Sequence, residues 1–339
     1  MPGPVTRLAA VEARFRAPLG TARGDIASRT SLLLAVAEGD HTGWGEAAAF
    51  PSGIGGSAHA ARQALEEWAR DPSRLPEVPI ARVAVEAARM DLAARQAGMP
   101  LHRRLGGSDE AVPARHPIGL ADDIESLLDE VRSAAAAGIT HLKLKVAPDR
   151  DLEPVRAVRR EFPDMDVAVD ANGSYPDLDH PSPVALDEAG VSIIEQPFHA
   201  ADLVSHRLLQ DRVAAAVCLD ESVRTLETAA MAMSAGAGRM IAIKLGRHGW
   251  SDAVTILEQA RDAGFEVKAG GTFDTAVGRR HLLAFATLPG VTDAEVAPPS
   301  GYLEDAFGDY PEVVNGTVTP SDEPGIGMDA EVDLEILTP

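Results

Sequence analysis

"HLKLKV", residues 141–146, places two lysines inside a run that otherwise reads as an apolar β-strand. Side chains alternate across a strand, so Lys143 and Lys145 share one face while Leu142, Leu144 and Val146 share the other. Taken alone, a K-x-K pair is most simply the solvated face of an exposed strand. The residues downstream change that reading.

Short apolar runs recur beyond position 110: "ARHPIGL" (114–120), "HLKLKV" (141–146), "DVAVD" (166–170), "VSIIEQ" (191–196), "AVCLDE" (216–221), "MIAIKL" (240–245), "FEVKAG" (265–270) and "TDAEV" (292–296). Between the first two, "DIESLLDEVRSAAAAG" has apolar residues at 124, 127, 128, 131 and 135, a helical spacing closed by Gly138. Strands that alternate with single helices make βαβ units and a parallel sheet. Eight of them, evenly spaced, predict an α/β protein built on a (β/α)8 TIM barrel and not an open sheet.

Charged residues keep the same beat. Lys145, Asp170, Glu195 and Asp220 follow one another at 25 positions, and Lys244 comes 24 later. Each falls at or near the carboxyl end of its predicted strand, the end where barrel enzymes place their active sites. The residues two and four before them, among them Ala168, Val191, Ile193, Ala216, Cys218, Met240 and Ala242, are expected to fill the barrel interior beneath.

Three carboxylates, Asp170, Glu195 and Asp220, share a cleft only if a cation offsets their repulsion. Hard oxygen donors at the rim of a polar cavity suit Mg²⁺, with Mn²⁺ a second choice. Lys145 and Lys244 then flank the metal on opposite sides. Cationic neighbours are expected to lower their ammonium pKa values toward those of general bases. Lys143, deeper on the same face as Lys145, tunes it or contacts a substrate carboxylate. Proton abstraction next to a carboxylate is the chemistry that needs a metal and two opposed bases.

Composition narrows the class. The 339 residues are 45% hydrophobic and 24% charged, normal for a globular protein with a large core. A formal net charge of −21 argues against nucleic acid and anionic membranes as partners. The first twenty residues lack the apolar core of a signal peptide, and runs such as "LLLAVA" are too short to span a bilayer. A single cysteine, Cys218, excludes an internal disulfide and reads as a small core residue. A cytoplasmic enzyme acting on a small carboxylate is expected, as a homo-oligomer of unspecified order.

The motifs K-x-K (143–145), "DAN" (170–172), "IEQP" (194–197), "LDES" (219–222) and "IKLGRHG" (243–249) together resemble the enolase superfamily in its muconate-lactonizing branch. Within it, "LKLKVAPDRDLEPVRAVRREFPD", "CLDESV" and "GGTFDTAVGRRHLLAFATLPG" are most similar to o-succinylbenzoate synthases and the related N-acylamino acid racemases. The resemblance implies an α+β N-terminal capping domain over residues 1–112, a modified barrel over 113–306 and a segment, 307–339, that returns to the cap. It also implies Mg²⁺ on Asp170, Glu195 and Asp220, with Lys145 and Lys244 as the acid/base pair. The implied reaction is dehydration of 2-succinyl-6-hydroxy-2,4-cyclohexadiene-1-carboxylate in menaquinone biosynthesis. The alternative is racemisation of N-acylamino acids by the same lysines.

Asn172, Gly270, Gly271 and Thr272 are the candidate substrate contacts. Cap loops near Leu19–Arg29 and Phe50–Gly55 are expected to close over the barrel mouth. Two departures from relatives bear on the substrate: Trp250 where a glycine is common, and Thr272 and Asp274 where methionine and glutamate are common. Both loops are expected to face the substrate. Lys268, two residues before Gly270, reads as structural, and Glu221, on the opposite parity from Asp220, as supporting. "GIGG" (53–56) has no strand–loop–helix context and reads as a cap loop, not a phosphate site.

Overall fold

The computed structural model describes residues 5–21, 24–50, 55–121 and 123–337. Three strands, β1 (Val5–Thr21), β2 (Gly24–Glu38) and β3 (His41–Ala49), form an antiparallel sheet, followed by α1 (Ala58–Arg70), α2 (Pro79–Gln96) and α3 (Leu101–Arg104). One face of the sheet, with Leu8, Leu32, Leu34 and Val36, packs on Leu65 and Trp68 of α1 and on Ile80, Ala84 and Leu92 of α2. Alternation along the strands supplies that apolar face. The expectation for the cap loops falls largely outside the described residues: 22–23, 51–54 and the side chains of 19–25 are not among them.

Beyond the short β4 (Val112–Pro113), eight strands form one parallel sheet in chain order. With their helices they are β5 (Arg115–Ile118), α4 (Ile124–Ala136), β6 (His141–Lys145), α5 (Leu152–Glu161), β7 (Asp166–Asp170), α6 (Ser182–Glu188), β8 (Ile193–Glu195), α7 (Leu203–Gln210), β9 (Ala216–Leu219), α8 (Leu226–Ser234), β10 (Met240–Ile243), α9 (Leu245–Asp262), β11 (Glu266–Ala269), α10 (Ala276–Ala286) and β12 (Val291–Ala294). All eight predicted strands are present, and α4 is closed by Gly138 just past its end, whose φ is 82°. The barrel is modified at its end, since a short 3-10 turn, Pro299–Gly301, follows β12 in place of an eighth helix. Arg115 Nε lies 2.9 Å from Asp293 Oδ1, so a side-chain ion pair joins the first strand to the last.

Ala168, Ile193, Ala216, Cys218, Met240 and Ala242 form a separate buried cluster inside the barrel. Val191 does not join them: it precedes the short β8 and packs in the large apolar layer.

The final segment adds β13 (Val313–Val314) and β14 (Thr317–Val318), which pairs with β4, and then β15 (Glu335–Ile336), which pairs with β1. Asp91 of α2, fully buried, accepts hydrogen bonds from the Trp44 amide at 2.8 Å and the Ile326 amide at 2.7 Å, and pairs with Arg95. No helix among the described residues is long and apolar enough to cross a membrane.

Candidate active site

The strand register sets the site. Lys145, Asp170 and Glu195 close β6, β7 and β8, and the ladder pairs Lys145 with Asp170 and Asp170 with Glu195. Glu195 is paired in turn with Cys218, which puts Asp220 two residues farther along the same face. Lys244 follows β10 directly and begins α9. The two lysines thus bracket the three acids across neighbouring strands.

Every acid has a cationic partner. Lys145 Nζ lies 3.0 Å from Asp170 Oδ2 and donates to Asn172 Oδ1. Lys244 Nζ lies 2.6 Å from Asp220 Oδ2, and Arg247 Nη1 2.8 Å from Asp220 Oδ1. Glu195 receives Lys268 Nζ at 2.6 Å and Lys143 Nζ at 3.4 Å. Lys143 also reaches Glu295 Oε1 at 2.5 Å and Asp170 Oδ2 at 3.3 Å.

These contacts decide protonation. Burial opposes ionisation of Asp170, but Lys145 and Lys143 override it and hold the carboxyl down at about 2. Burial likewise opposes charge on Asp220, and Arg247 and Lys244 keep it well below the usual carboxylate range. For Lys244 the shift runs opposite to the expected lowering. Burial alone would lower Lys244, yet the adjacent Asp220 carboxylate raises it. Glu195 and Glu295 raise Lys143 against the same burial penalty. A carboxylate within hydrogen-bond distance stabilises the ammonium more than burial destabilises it.

As they stand, no three acidic, histidine or cysteine side chains among the described residues converge closely enough to hold a metal ion. The oxygens a cation would use are those bonded to Lys145, Lys244, Lys268 and Arg247. The donor set still suits a hard dication. Beside Asp170 and Asp220 lies a buried carboxylate oxygen, Glu221 Oε2, that accepts no hydrogen bond, and burial with those two negative neighbours raises the Glu221 pKa. A divalent ion held by Asp170, Glu195 and Asp220 would compete with Lys145, Lys244 and Lys268 for the carboxylate oxygens.

The family described as Enolase C-terminal domain-like matches residues 126–334. The chain belongs to the enolase superfamily. An o-succinylbenzoate synthase of Geobacillus kaustophilus is 34% identical over 95% of this chain and 92% of its own. An N-succinylamino acid racemase of Thermus thermophilus is 36% identical over 74% of this chain and 69% of its own. A solved enolase-superfamily structure from Listeria innocua Clip11262 superposes with a TM-score of 0.87 at 28% identity, covering 99% of both chains.

In this enolase-superfamily barrel the remaining candidates take varied places. Asn172, with φ 44°, receives Lys145 and donates from Nδ2 to Glu221 Oε1 at 2.9 Å. Gly270 lies against the Lys244 stem, where a Cβ would stand 3.0 Å from Cγ. The Gly271 amide donates to Glu295 Oε2 at 3.1 Å, and Thr272 is bonded to Asp274 through its amide and its hydroxyl. Trp250 is buried on α9 with its ring edge-on to His281 and Phe285, and it lines a cavity with Gly246, Gly270 and Asp274.

Several residues had no role in the sequence reading. Glu295 forms ion pairs with Lys143 and Lys268 from just beyond β12, and it sits two residues after Asp293, on inward parity. That parity was a usable signal. Gln196, with φ 41°, accepts the Asp220 amide at 2.9 Å and the Ser222 amide at 3.1 Å on Oε1, fixing the backbone that carries Asp220. Arg247 lies within the quoted "IKLGRHG", but only its fold-dependent reach to Asp220 gives it a part.

Proposed function

We propose that this protein is an o-succinylbenzoate synthase, a Mg²⁺-dependent carbon–oxygen lyase of cytoplasmic menaquinone biosynthesis. The observation that carries this reading is the placement of Lys145 and Lys244 on opposite flanks of Asp170, Glu195 and Asp220, in a chain similar over nearly its whole length to synthases of that name. Asp170, Glu195 and Asp220 would hold the ion, which when bound supplies positive charge to the substrate carboxylate as negative charge develops there. The buried lysines and arginine already offset the buried acids, so a dication leaves the site positive. That favours a substrate bearing two carboxylates, such as 2-succinyl-6-hydroxy-2,4-cyclohexadiene-1-carboxylate.

Lys145 takes the proton from the carbon next to the ring carboxylate. It returns that proton to the departing ring hydroxyl on the same face, so that water leaves and the ring becomes aromatic. Lys244 lies over the other face and supplies charge without moving a proton. Lys143, beneath Asp170 and Glu195, holds the acids in place. Asn172 orients Lys145, and Gly270 leaves room for the Lys244 stem.

A second reading, racemisation of N-succinylamino acids, is supported by Arg247. Its guanidinium shares Asp220 with Lys244 and opposes the raised ammonium pKa, which eases proton release from that flank. Incubating the protein and Mg²⁺ with each substrate class separates the two. Formation of o-succinylbenzoate with slow or absent racemisation supports the synthase; rapid racemisation with negligible dehydration assigns the racemase.

A further inference from the structure

A buried ion pair of the N-terminal sheet is built into the loop that follows β11. Arg29 of β2 and Glu46 of β3 are 2% and 5% exposed. Arg29 Nη2 donates to Glu46 Oε1 at 3.0 Å and to the carbonyl of Phe273 at 2.7 Å, while Nη1 donates to Ser31 Oγ at 2.6 Å. Glu46 Oε2 accepts from the Thr275 amide at 3.0 Å, the Thr275 hydroxyl at 2.8 Å and the Gly278 amide at 3.1 Å.

These contacts amount to a helix cap supplied from another layer of the protein. Thr275 holds the N-cap position of α10, but its own side chain caps nothing. The first-turn amides of a helix need an acceptor, and a carboxylate there also complements the helix dipole. Glu46 provides both. Gly278 fits the same picture, because a Cβ there would stand 2.7 Å from Glu46 Oε2. A glycine in a first helical turn is unfavourable by propensity, and the approaching carboxylate accounts for it.

Between the Lys244 stem and this cap runs the loop 270–275, with Phe273 in the left-handed region at φ 54°. A bulky residue stays in that conformation only when its surroundings hold it. Here Arg29 holds the carbonyl, and Phe15 and Tyr302 meet the ring edge-on at 5.7 and 5.5 Å.

We propose that Arg29 and Glu46 are positioning residues that fix the substrate-facing conformation of residues 270–275 from outside the barrel. Recognition of the substrate's distal carboxylate arm then depends on an ion pair that touches neither substrate nor the acid cluster. The inference rests on the synthase/racemase reading for its substrates.

Three variants test it. Arg29→Lys keeps the charge but cannot bridge Glu46, Ser31 and Phe273 together. Glu46→Gln replaces one acceptor oxygen with a donor, and Gly278→Ala sets a methyl against Glu46 Oε2. Each should raise KM about tenfold for the substrate that wild type turns over, with kcat within about threefold. The Mg²⁺ titration midpoint, read by calorimetry, should stay within about twofold. Amide exchange across 271–278 should quicken about tenfold or more, with the rest of the barrel unaltered. If Glu46→Gln fails to fold, the other two variants carry the test. Unchanged KM in folded variants overturns the proposal, as does a fall in kcat alone. Should wild type turn over neither substrate class, the functional reading falls and exchange alone judges the clamp: quickening upholds it, and undiminished protection overturns it.

Discussion

The indole N–H of Trp250 donates to His281 Nδ1 at 3.2 Å, and the same imidazole turns Nε2 to the carbonyl of Trp44 at 2.8 Å. Only a neutral ring protonated on Nε2 satisfies both, because a proton on Nδ1 would face the indole N–H. The contact joins α9 and α10 of the barrel to β3 of the cap. Burial pushes the His281 pKa down to about 4, and His248, bonded to the Lys244 amide through Nδ1, is lowered to about 4 in the same way.

Acid should therefore draw on these two histidines between pH 6.5 and 4, while Asp91, whose carboxyl burial raises to about 6, contributes in the opposite sense. An unfolded histidine titrates near 6.5, so between that pH and about 4 the unfolded chain takes up protons that the folded one refuses. The stabilisation is complete above 6.5 and is lost as pH falls toward 4, by at most about 3 kcal/mol per histidine. Denaturant unfolding at pH 7.5 and 4.5 measures the loss. His281→Gln should remove its own share of the histidine-linked part, leaving those of His248 and His206, which burial also lowers. An unchanged pH slope in that variant would contradict the assignment.

The two flanking lysines should respond differently to arginine. Guanidinium does not deprotonate in proteins, so Lys145→Arg removes the proton carrier and should cut dehydration by about three orders of magnitude or more. Lys244→Arg keeps the charge and should retain measurable dehydration, although its geometry is not neutral. With N-succinylamino acids, Lys244→Arg should lose racemisation yet still exchange the α-proton of one enantiomer in deuterated solvent. Equal abolition of dehydration by both substitutions, in variants that bind Mg²⁺, would rule out a one-base mechanism.

Glu195→Gln tests the metal. Both carboxylate oxygens of Glu195 are engaged, one by Lys268 and one by Lys143. Removing its charge at near-constant volume should weaken Mg²⁺ binding about tenfold or more and abolish turnover, with the circular dichroism spectrum unchanged. Full activity of wild type after exhaustive chelation would sink the metal assignment.

Lys268→Met should be costly to the fold. Lys268 is fully buried, 2.6 Å from Glu195 and 2.9 Å from Glu295. Leaving those carboxylates without it should destabilise the protein by about 3–5 kcal/mol, read as a lower denaturant midpoint. A shift below about 1 kcal/mol would mean that Lys143 alone compensates both acids.

The barrel was legible because its signals are periodic. A repeat of 25 residues with charges at the strand ends survives translation into three dimensions, and the strand register restores Lys145, Asp170 and Glu195 to one row. The ion partners were less legible, since they depend on side-chain reach across the barrel. Arg247 meets Asp220 and Lys268 meets Glu195 at spacings that no local pattern encodes. The packing of Trp250 was hidden for the same reason, since its partner His281 lies on another helix.

Asp91 has a consequence for the order in which the protein can be finished. Its amide donors lie in Trp44 and in Ile326, the latter 235 residues downstream, with the whole barrel threaded between them. On the ribosome, α2 and its buried carboxylate emerge before the barrel, and one of the groups that satisfies that carboxylate emerges only after it. The β15 strand on the edge of the first sheet is later still. The antiparallel sheet that precedes the barrel is thus completed only after it, and a nascent chain halted short of residue 326 leaves Asp91 without one of its two amide donors.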